Sequence, residues 1–495
     1  MAAKKKQSLL NNFLKNKKQY PVLAAIAAGL YPVLFYFTNN YTIVNTWSHL
    51  GYFLVMFLCL PIVVFLVSYH LFKIPFLNKF QKHVVPFLNV FTFLFFMMVC
   101  YYAGIHNKIA LLSFFIAVVF AIFFYKFSKK VIVIQLLLAL IGIFTLTPKL
   151  MKLVNYSSEW KLQPDDIENV KFKKNPNVYF IQPDGYANFS ELGNENYNID
   201  YSELDRFFKN ENFTYYYDFR SNYSSTLSSN SATFIMKHHY YNDVTELNEM
   251  MNARENIIKD NPVLRIFKNN NYKTHLISQL PYLLLNKAEI GFDMCNFSNE
   301  DISYIGTGLG DPVDIIKPLS EQLNIDSHLS KFFFIEFFNP GHIAGRKEYT
   351  KGIERERELW EESLQRANQT LGDLLDIIKQ KDPNALILIM ADHGGFVGME
   401  HTGQSYEKTQ NRDLIYSIFS STLAIKWPNN EVPEFDNLLK TNINVFRILF
   451  SYLSDNKKYL NSLQDNESYM IIKKGAPRGV YLYIDNNGDI TFKKR

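Results

Sequence analysis

Ala385-Leu-Ile-Leu-Ile-Met-Ala-Asp392-His393-Gly394-Gly395 decides how the second part of this 495-residue chain is read. An apolar run, rich in branched residues, stops abruptly at an acid, an imidazole and two glycines. Strands buried on both faces read as near-continuous apolar runs, and open α/β sheets keep ligands beyond the carboxyl ends of such strands. Asp392 and His393 therefore stand where a site would be. They offer one oxygen and one nitrogen to a divalent metal, and the glycines let the backbone turn tightly beside them. An Asp-His pair alone is more readily a capped turn than a site, so the remaining sequence must give it weight.

A second apolar run, Asn177-Val-Tyr-Phe-Ile-Gln-Pro, ends in Asp184-Gly185-Tyr186. Further strands are predicted at 274–277, 332–337, 386–390 and 420–425, with a long helical pattern over 353–381. Strands alternating with helices imply a mostly parallel sheet with helices on both faces. The tail from Gly479 alternates around Asn487-Gly488 and predicts a terminal hairpin. His342, in Phe337-Phe-Asn-Pro-Gly-His342, follows a middle strand, and His401 comes shortly after His393. In a parallel sheet Asp184, His342 and Asp392 emerge at one edge.

The segment Arg220-Ser-Asn222-Tyr223-Ser224-Ser225-Thr226-Leu-Ser228-Ser229-Asn230-Ser231-Ala-Thr233 lies between the first two strands. A hydroxyl at a helix N-terminus meets unpaired amide donors and the positive end of the dipole, which favour a phosphoryl group. Metal ligation of that oxygen would lower its pKa toward an alkoxide-like nucleophile. Local physics leaves Ser224, Ser225 and Thr226 equivalent, and a plain Ser/Thr-rich loop would carry the same residues. Arg220 is a candidate phosphate partner by position and charge.

The first part has a different composition. Apolar segments at about 21–38, 48–69, 84–104, 108–125 and 130–148 each approach the ~20 residues needed to cross a bilayer. Lys4, Lys5, Lys6, Lys15, Lys17 and Lys18 precede the first. Lys73, Lys79 and Lys82 follow the second, and Lys126, Lys129 and Lys130 the fourth. Basic residues thus mark alternate loops, which predicts a cytoplasmic N-terminus and, after five crossings, an extracytoplasmic remainder. The division expected is a five-helix transmembrane domain over 1–150 and a juxtamembrane connector over 151–175, with Trp160 at the lipid interface. A catalytic domain over 176–455 and a hairpin extension over 456–495 follow. Cys59 and Cys100 fall in predicted spans, leaving only Cys295 outside and no internal disulfide there. The net charge of +5 is largely the cytoplasmic lysines, and gives no reason to invoke nucleic acid.

The order Asn177-Val-Tyr-Phe-Ile-Gln-Pro-Asp184-Gly, a hydroxyl-rich helix start, Gly-His342, then Ala-Asp392-His393-Gly-Gly…Gly398-Met-Glu-His401 resembles the alkaline phosphatase/sulfatase superfamily. With the membrane segments, it is similar to lipoteichoic acid synthases and lipid A phosphoethanolamine transferases. Asn442-Ile-Asn444-Val-Phe446-Arg447 also resembles a segment of that group. The resemblance implies an α-helical membrane domain followed by an alkaline phosphatase-like α/β domain. It implies one divalent ion, Mn or Zn, on Asp184, Asp392, His393 and the nucleophile, with a second ion in some relatives. Thr226 is the nucleophile it favours and Ser225 the reserve, with His342 and His401 at the phosphoryl group. Sulfatases need a Cys or Ser followed by Pro two residues on and Arg four on. Thr226 is followed by Leu227, Ser228, Ser229 and Asn230, which disfavours sulfate ester chemistry.

The function expected is transfer of phosphoglycerol or phosphoethanolamine from a phospholipid to an envelope glycan, through a phospho-threonine, at a bacterial inner membrane. A membrane-bound phosphodiesterase or phosphatase, a sulfatase, and a non-catalytic glycan-binding protein are the alternatives in that order.

Overall fold

The computed structural model describes residues 10–243, 250–306, 309–325 and 328–495; Lys4, Lys5 and Lys6 lie outside them. Two compact units make up the chain. The first comprises residues 1–156 together with 285–287 and 302–308, and the second holds the rest.

Among the described residues, four helical runs are long and apolar enough to cross a membrane. They are Pro21–Asn40 (α1), Trp47–Leu71 (α2), Asn78–Tyr102 (α3) and Asn107–Lys161. The last spans 55 residues. A straight helix of that length would measure about 80 Å, against a hydrocarbon core of about 30 Å. A 3₁₀ turn at Tyr125–Phe127 breaks it into Asn107–Val119 (α4), prolonged by a π turn through Phe124, and Ser128–Val154 (α5). α4 packs on α3 and α5 on α1. Helix thus covers all five predicted segments, the last two forming one interrupted run. Ala24, Ala25, Ala27 and Ala28 are buried, and such small side chains let membrane helices approach closely. Buried Asn89 on α3 donates to the Ala24 carbonyl and to Gln135 Oε1, both at 2.8 Å, tying α1, α3 and α5 together.

A seven-stranded sheet organises the second unit, in the order β2-β7-β6-β1-β5-β3-β4. The strands are β1 (Val178–Pro183), β2 (Thr214–Tyr215), β3 (Lys273–Ser278), β4 (Met294–Cys295), β5 (Lys331–Phe337), β6 (Leu386–Met390) and β7 (Leu423–Lys426). β6, β1, β5, β3 and β4 run parallel, with Val178 opposite both Phe332 and Leu386; β7 is antiparallel to β6 and β2 to β7. All six β1 residues are buried, as both-face coverage requires. Ser420–Thr422 were expected inside the last strand. They instead cross the strand ends, where the Ser421 and Thr422 hydroxyls donate to the Ala391 and Ala187 carbonyls.

Three helices matter for the site: Thr226–Ile235 (α6), Ile353–Lys381 (α7) and Val445–Ser454 (α8). α7 buries Trp360, Leu364, Ala367, Leu371, Leu374, Leu375 and Ile378, a three-and-four spacing that presents one face to the core. That face joins Tyr179, Ile181, Phe333, Ile335, Ile387 and Ile389, the odd-numbered side of the central strands. On the opposite side Phe234 of α6 lies 5.0 Å from Phe334 and 6.1 Å from Phe180, ring centre to ring centre, and Phe446 of α8 packs against both Phe180 and Phe234. Alternate side chains of one strand thereby serve two layers.

The tail forms a three-stranded antiparallel sheet of β8 (Ser468–Ile472), β9 (Gly479–Ile484) and β10 (Ile490–Lys494). The predicted Asn487-Gly488 hairpin joins β9 and β10, with Gly488 at φ +94°; β8 is an addition. Trp160, expected at a lipid interface, meets His239 edge-on at 5.9 Å within the second unit. The short helix Glu159–Lys161 places it there. Arg447, 1 % exposed, clamps the connector by donating to Asp165 Oδ2 and Gln163 Oε1, both at 2.7 Å. Arg447→Ala is expected to cost about 3 kcal/mol, since it leaves polar partners of a buried charge unpaired. Chemical denaturation would read this, with Arg447→Lys recovering only part because one ammonium cannot reproduce the guanidinium fork.

Candidate active site

β1 and β6 are neighbours and parallel, so the turns that follow them meet at one edge. Asp184 follows β1 and Asp392-His393 follow β6. Asp184 is 6 % exposed, Asp392 is fully buried and His393 is 2 % exposed. His393 Nε2 stands 3.3 Å from Asp392 Oδ2 and 3.5 Å from Asp184 Oδ1. Thr226 opens α6, and its Oγ1 lies 3.3 Å from Asp184 Oδ1 and 3.4 Å from His393 Nε2. Bonds of ~2.0–2.1 Å to a tetrahedral ion place its ligand atoms ~3.3–3.4 Å from one another. These four separations match that spacing.

Two further observations fit a divalent cation. Asp392 Oδ2 is buried without a hydrogen-bond partner, while Oδ1 accepts from the Gly185 amide at 3.2 Å. His393 Nδ1 lies 2.8 Å from the Gly394 carbonyl, an arrangement that fixes the ring and turns the Nε2 lone pair toward the carboxylates. Burial, reinforced by the charge of Asp184 and opposed by His393, raises the Asp392 pKa to about 6. Burial works to lower that of His393, but the carboxylates of Asp392 and Asp184 outweigh it and hold it above the ordinary value. A bound cation would compensate both carboxylates.

Close backbone approach makes the cluster possible. At Gly185, φ +65°, a Cβ would come within 2.1 Å of the Gly341 carbonyl oxygen. At Gly394 one would come within 2.3 Å of the Ser417 carbonyl oxygen. Neither position admits a side chain, which accounts for the Asp-Gly and Asp-His-Gly pattern.

The hydroxyl cluster is resolved by helix phase. Ser225 is the N-cap of α6 and its Oγ donates to Ser228 Oγ, whereas Thr226 at the first helical position faces Asp184 and His393. The first turn of α6 carries no acid, so its amide donors and positive dipole end remain for an anion. A cavity of 150 Å³ opens here, lined by Ser224, Ser225, Thr226, His342 and His393 with Tyr282, Phe396, Thr402, Ser405 and Tyr406. Drug-sized ligands occupy ~300 Å³ or more; this space suits a small polar group. His342 projects into it with its ring centre 6.3 Å from that of His393, and its Nδ1 lies 2.7 Å from the Ile343 carbonyl.

His401 precedes the short helix Thr402–Tyr406 that lines the cavity, and no described hydrogen bond or ring contact joins His401 to the cluster. Arg220 is not a phosphate partner. It is buried, and its guanidinium donates to the carbonyls of Asn466 and Asp485, fastening the tail sheet.

Other participants were not read from the sequence. Asn442 donates to the Ala391 carbonyl at 2.9 Å and so holds the residue before Asp392. Glu336 interrupts the apolar run of β5, and that break was the available signal. Fully buried, it accepts from Ser278 Oγ at 3.2 Å and Gln182 Nε2 at 3.4 Å. Burial, then the charges of Asp392 and Asp184, push its carboxyl well above the usual range. A folded-state pKa raised above the unfolded value of ~4.3 costs stability as pH rises through that interval. Glu336→Gln is therefore expected to fall within about 1 kcal/mol of wild type at pH 6 and to be the more stable of the two at pH 9. Denaturant titrations at both pH values check this; identical pH slopes in the two proteins would contradict it.

No family model and no curated protein matches the sequence. Solved structures similar to this chain include the integral membrane lipooligosaccharide phosphoethanolamine transferase A (EptA) from Neisseria meningitidis. It is 11 % identical with a TM-score of 0.41, over 88 % of this chain and 95 % of that one. The C-terminal periplasmic domain of EptC from Escherichia coli, in complex with Zn, is 12 % identical with a TM-score of 0.41, over 64 % and 93 %. The lipoteichoic acid synthase LtaP from Listeria monocytogenes is 13 % identical with a TM-score of 0.40, over 66 % and 91 %.

Proposed function

We propose that the chain is a membrane-anchored, metal-dependent phosphotransferase of the alkaline phosphatase/sulfatase superfamily. It moves a phosphoryl-alcohol group, phosphoglycerol or phosphoethanolamine, from a phospholipid to a hydroxyl of an envelope glycan. The observation that carries the reading is the Thr226 hydroxyl at the start of α6, within 3.4 Å of both Asp184 and His393. Nucleophile, ligand set and anion-favouring helix end converge on one small cavity.

Asp184, Asp392, His393 and Thr226 would hold the ion, a donor set of oxygens and one imidazole suited to Zn or Mn. When bound, a divalent ion supplies a lowered hydroxyl pKa and neutralises charge on the phosphoryl oxygens. Thr226 Oγ1 attacks phosphorus in line with the diacylglycerol oxygen: its hydroxyl proton passes to the neutral His342 imidazole, the Oγ1–P bond forms, the P–O bond to diacylglycerol breaks, and the leaving alkoxide takes that proton. His342, facing the cavity, is placed to give that proton. In the second half His342 withdraws the proton of the acceptor hydroxyl, which attacks phosphorus, and returns it to Thr226 Oγ1 as the Oγ1–P bond breaks. The amides of the first α6 turn receive the phosphoryl oxygens throughout. With a cytoplasmic N-terminus and α4 and α5 counted as separate crossings, the cavity would face the extracytoplasmic side of a bacterial inner membrane, a reading supported by the alternation of lysines between the apolar segments.

The test is reconstitution of the full chain in liposomes with headgroup-labelled phosphatidylglycerol or phosphatidylethanolamine and a hydroxyl acceptor. Diacylglycerol release with label on the acceptor supports transfer. Label released into water identifies a phosphodiesterase instead, and no diacylglycerol from either lipid overturns the lipid-donor reading.

A further inference from the structure

Tyr282 and Tyr406 both line the catalytic cavity, and each is held in the same way by a basic residue from another element. Arg254 is buried and donates its Nε to the Tyr282 carbonyl at 3.0 Å. Its guanidinium carbon lies 5.0 Å from the centre of the Tyr282 ring. Lys473, just after β8, donates its backbone amide to the Tyr406 carbonyl at 2.8 Å, and its Nζ lies 3.7 Å from the centre of the Tyr406 ring. One residue thus fixes the backbone of each tyrosine and covers one face of its ring. The positive charge meets the negative face of the π-system and occupies it.

Such rings receive a second cation poorly. A ligand ammonium on the opposite face of Tyr406 would stand about 8 Å from Lys473 Nζ, within one screening length at physiological salt. Aromatic cages that hold ammonium ligands offer their ring faces to the ligand; here one face of each ring is taken by the protein's own cation. Among the described residues that line the cavity, none is an acid that would offset this charge. Glu407, beside Tyr406, is paired with Lys474 at 2.7 Å. Asp184 and Asp392 belong to the proposed ligand set, and Glu336 is held in the core by Ser278 and Gln182.

Hydroxyls of Ser224, Ser225, Thr402 and Ser405 supply much of the polar lining. Ser405 Oγ gives its proton to the Thr402 carbonyl at 2.6 Å, and Ser225 Oγ gives its own to Ser228 Oγ at 3.1 Å, so both keep lone pairs that accept. A glycerol hydroxyl donates to such oxygens and brings no charge. An ammonium donates to them as well, so the discrimination lies in the cations behind the rings. We propose that the two cation-capped tyrosines make the cavity selective for an uncharged, hydroxylated alcohol, so that the group transferred is phosphoglycerol and not phosphoethanolamine. This rests on the lipid-donor reading and chooses between its two headgroups. Both alcohols are small, so charge and not volume separates them.

The test measures binding by the full chain carrying Thr226→Ala, in detergent with Mn, so that no turnover intervenes. The probes are the methyl phosphodiesters of glycerol, of ethylene glycol and of ethanolamine; the last two set a hydroxyl against an ammonium at equal length. Calorimetric titration is expected to show the glycerol and glycol esters binding at least ~10-fold more tightly than the ethanolamine ester. Lys473→Gln removes one charge at a half-buried position and should narrow that gap at least ~3-fold, by strengthening the ethanolamine ester alone. Lys473→Arg should keep the gap. Equal affinities for the glycol and ethanolamine esters, or tighter binding of the latter, would overturn the selectivity. A gap that Lys473→Gln leaves unchanged, or a loss of affinity for all three esters alike, would overturn the role of the capped Tyr406 ring. Selective binding of the glycerol ester, with no diacylglycerol released from either phospholipid by the unsubstituted chain, would keep the selectivity and remove the lipid donor.

Discussion

Thr226→Ala in the reconstituted full chain is expected to reduce phospholipid turnover at least ~10³-fold while leaving the fold intact. Thr226 occupies the first helical position, where alanine is well tolerated, and although it is buried the change removes only a hydroxyl and one methyl group. Thermal stability should therefore move by less than about 1 kcal/mol. Thr226→Ser keeps the hydroxyl at the same place and should retain measurable turnover. Rapid acid quench of the unsubstituted chain with labelled lipid should leave label on the peptide containing Thr226. Full activity in Thr226→Ala with that in Ser225→Ala abolished would transfer the role to Ser225, whose Oγ is turned toward Ser228.

Removal of the metal is the second large effect. A chelator should abolish turnover, and Mn or Zn should restore it. An ion present at 100 times its dissociation constant stabilises the fold by ~2.7 kcal/mol, so the melting temperature should fall on chelation. Proton competition gives the pH dependence. Asp392 in the metal-free fold is raised to about 6, above its unfolded value near 4. Between about pH 4 and pH 6 the folded chain thus holds more protons than the unfolded one, and metal-free stability declines as pH rises through that window. Metal affinity runs oppositely, weakening about tenfold per pH unit for each proton displaced below pH 6. Asp392→Asn separates the two: it should lose the ion, yet make the metal-free protein at pH 7 more stable by about 2 kcal/mol. Calorimetric metal titration and melting curves from pH 5 to pH 8 measure both trends.

The buried cluster of Asp184, Asp392 and His393 was legible because strand ends are. An apolar run that stops at Asp184-Gly185, and another at Asp392-His393-Gly394-Gly395, each announce a buried strand and its exit. A parallel sheet then brings the exits together without further information. The choice of Thr226 as the proposed nucleophile was not legible from local physics. Ser224, Ser225 and Thr226 are chemically alike, and only the phase of α6 turns one oxygen toward Asp184. Arg220 misled for a related reason: a basic residue beside a hydroxyl cluster looks like a phosphate partner, and its carbonyl acceptors, on Asn466 and Asp485, lie over 240 residues away. Glu336 and Asn442 act through residues remote in sequence. Nothing in the local pattern of 302–306 reveals that Tyr304 and Ile305 complete the membrane unit.

The packing of α6 on the sheet works as a vernier. Phe234 rests on Phe180 and Phe334, and eight residues earlier Thr226 meets Asp184, four residues further along the strand. Four helical residues advance about 6.0 Å and two strand residues about 6.6 Å, so the two scales stay nearly in step over two turns. The aromatic contact at one end thereby sets where the reactive oxygen stands at the other. Removing one residue between Thr226 and Phe234 would swing the hydroxyl about 100° around the helix axis. Evolution can change the chemistry of α6 residue by residue, but it cannot change its length by one and keep a nucleophile.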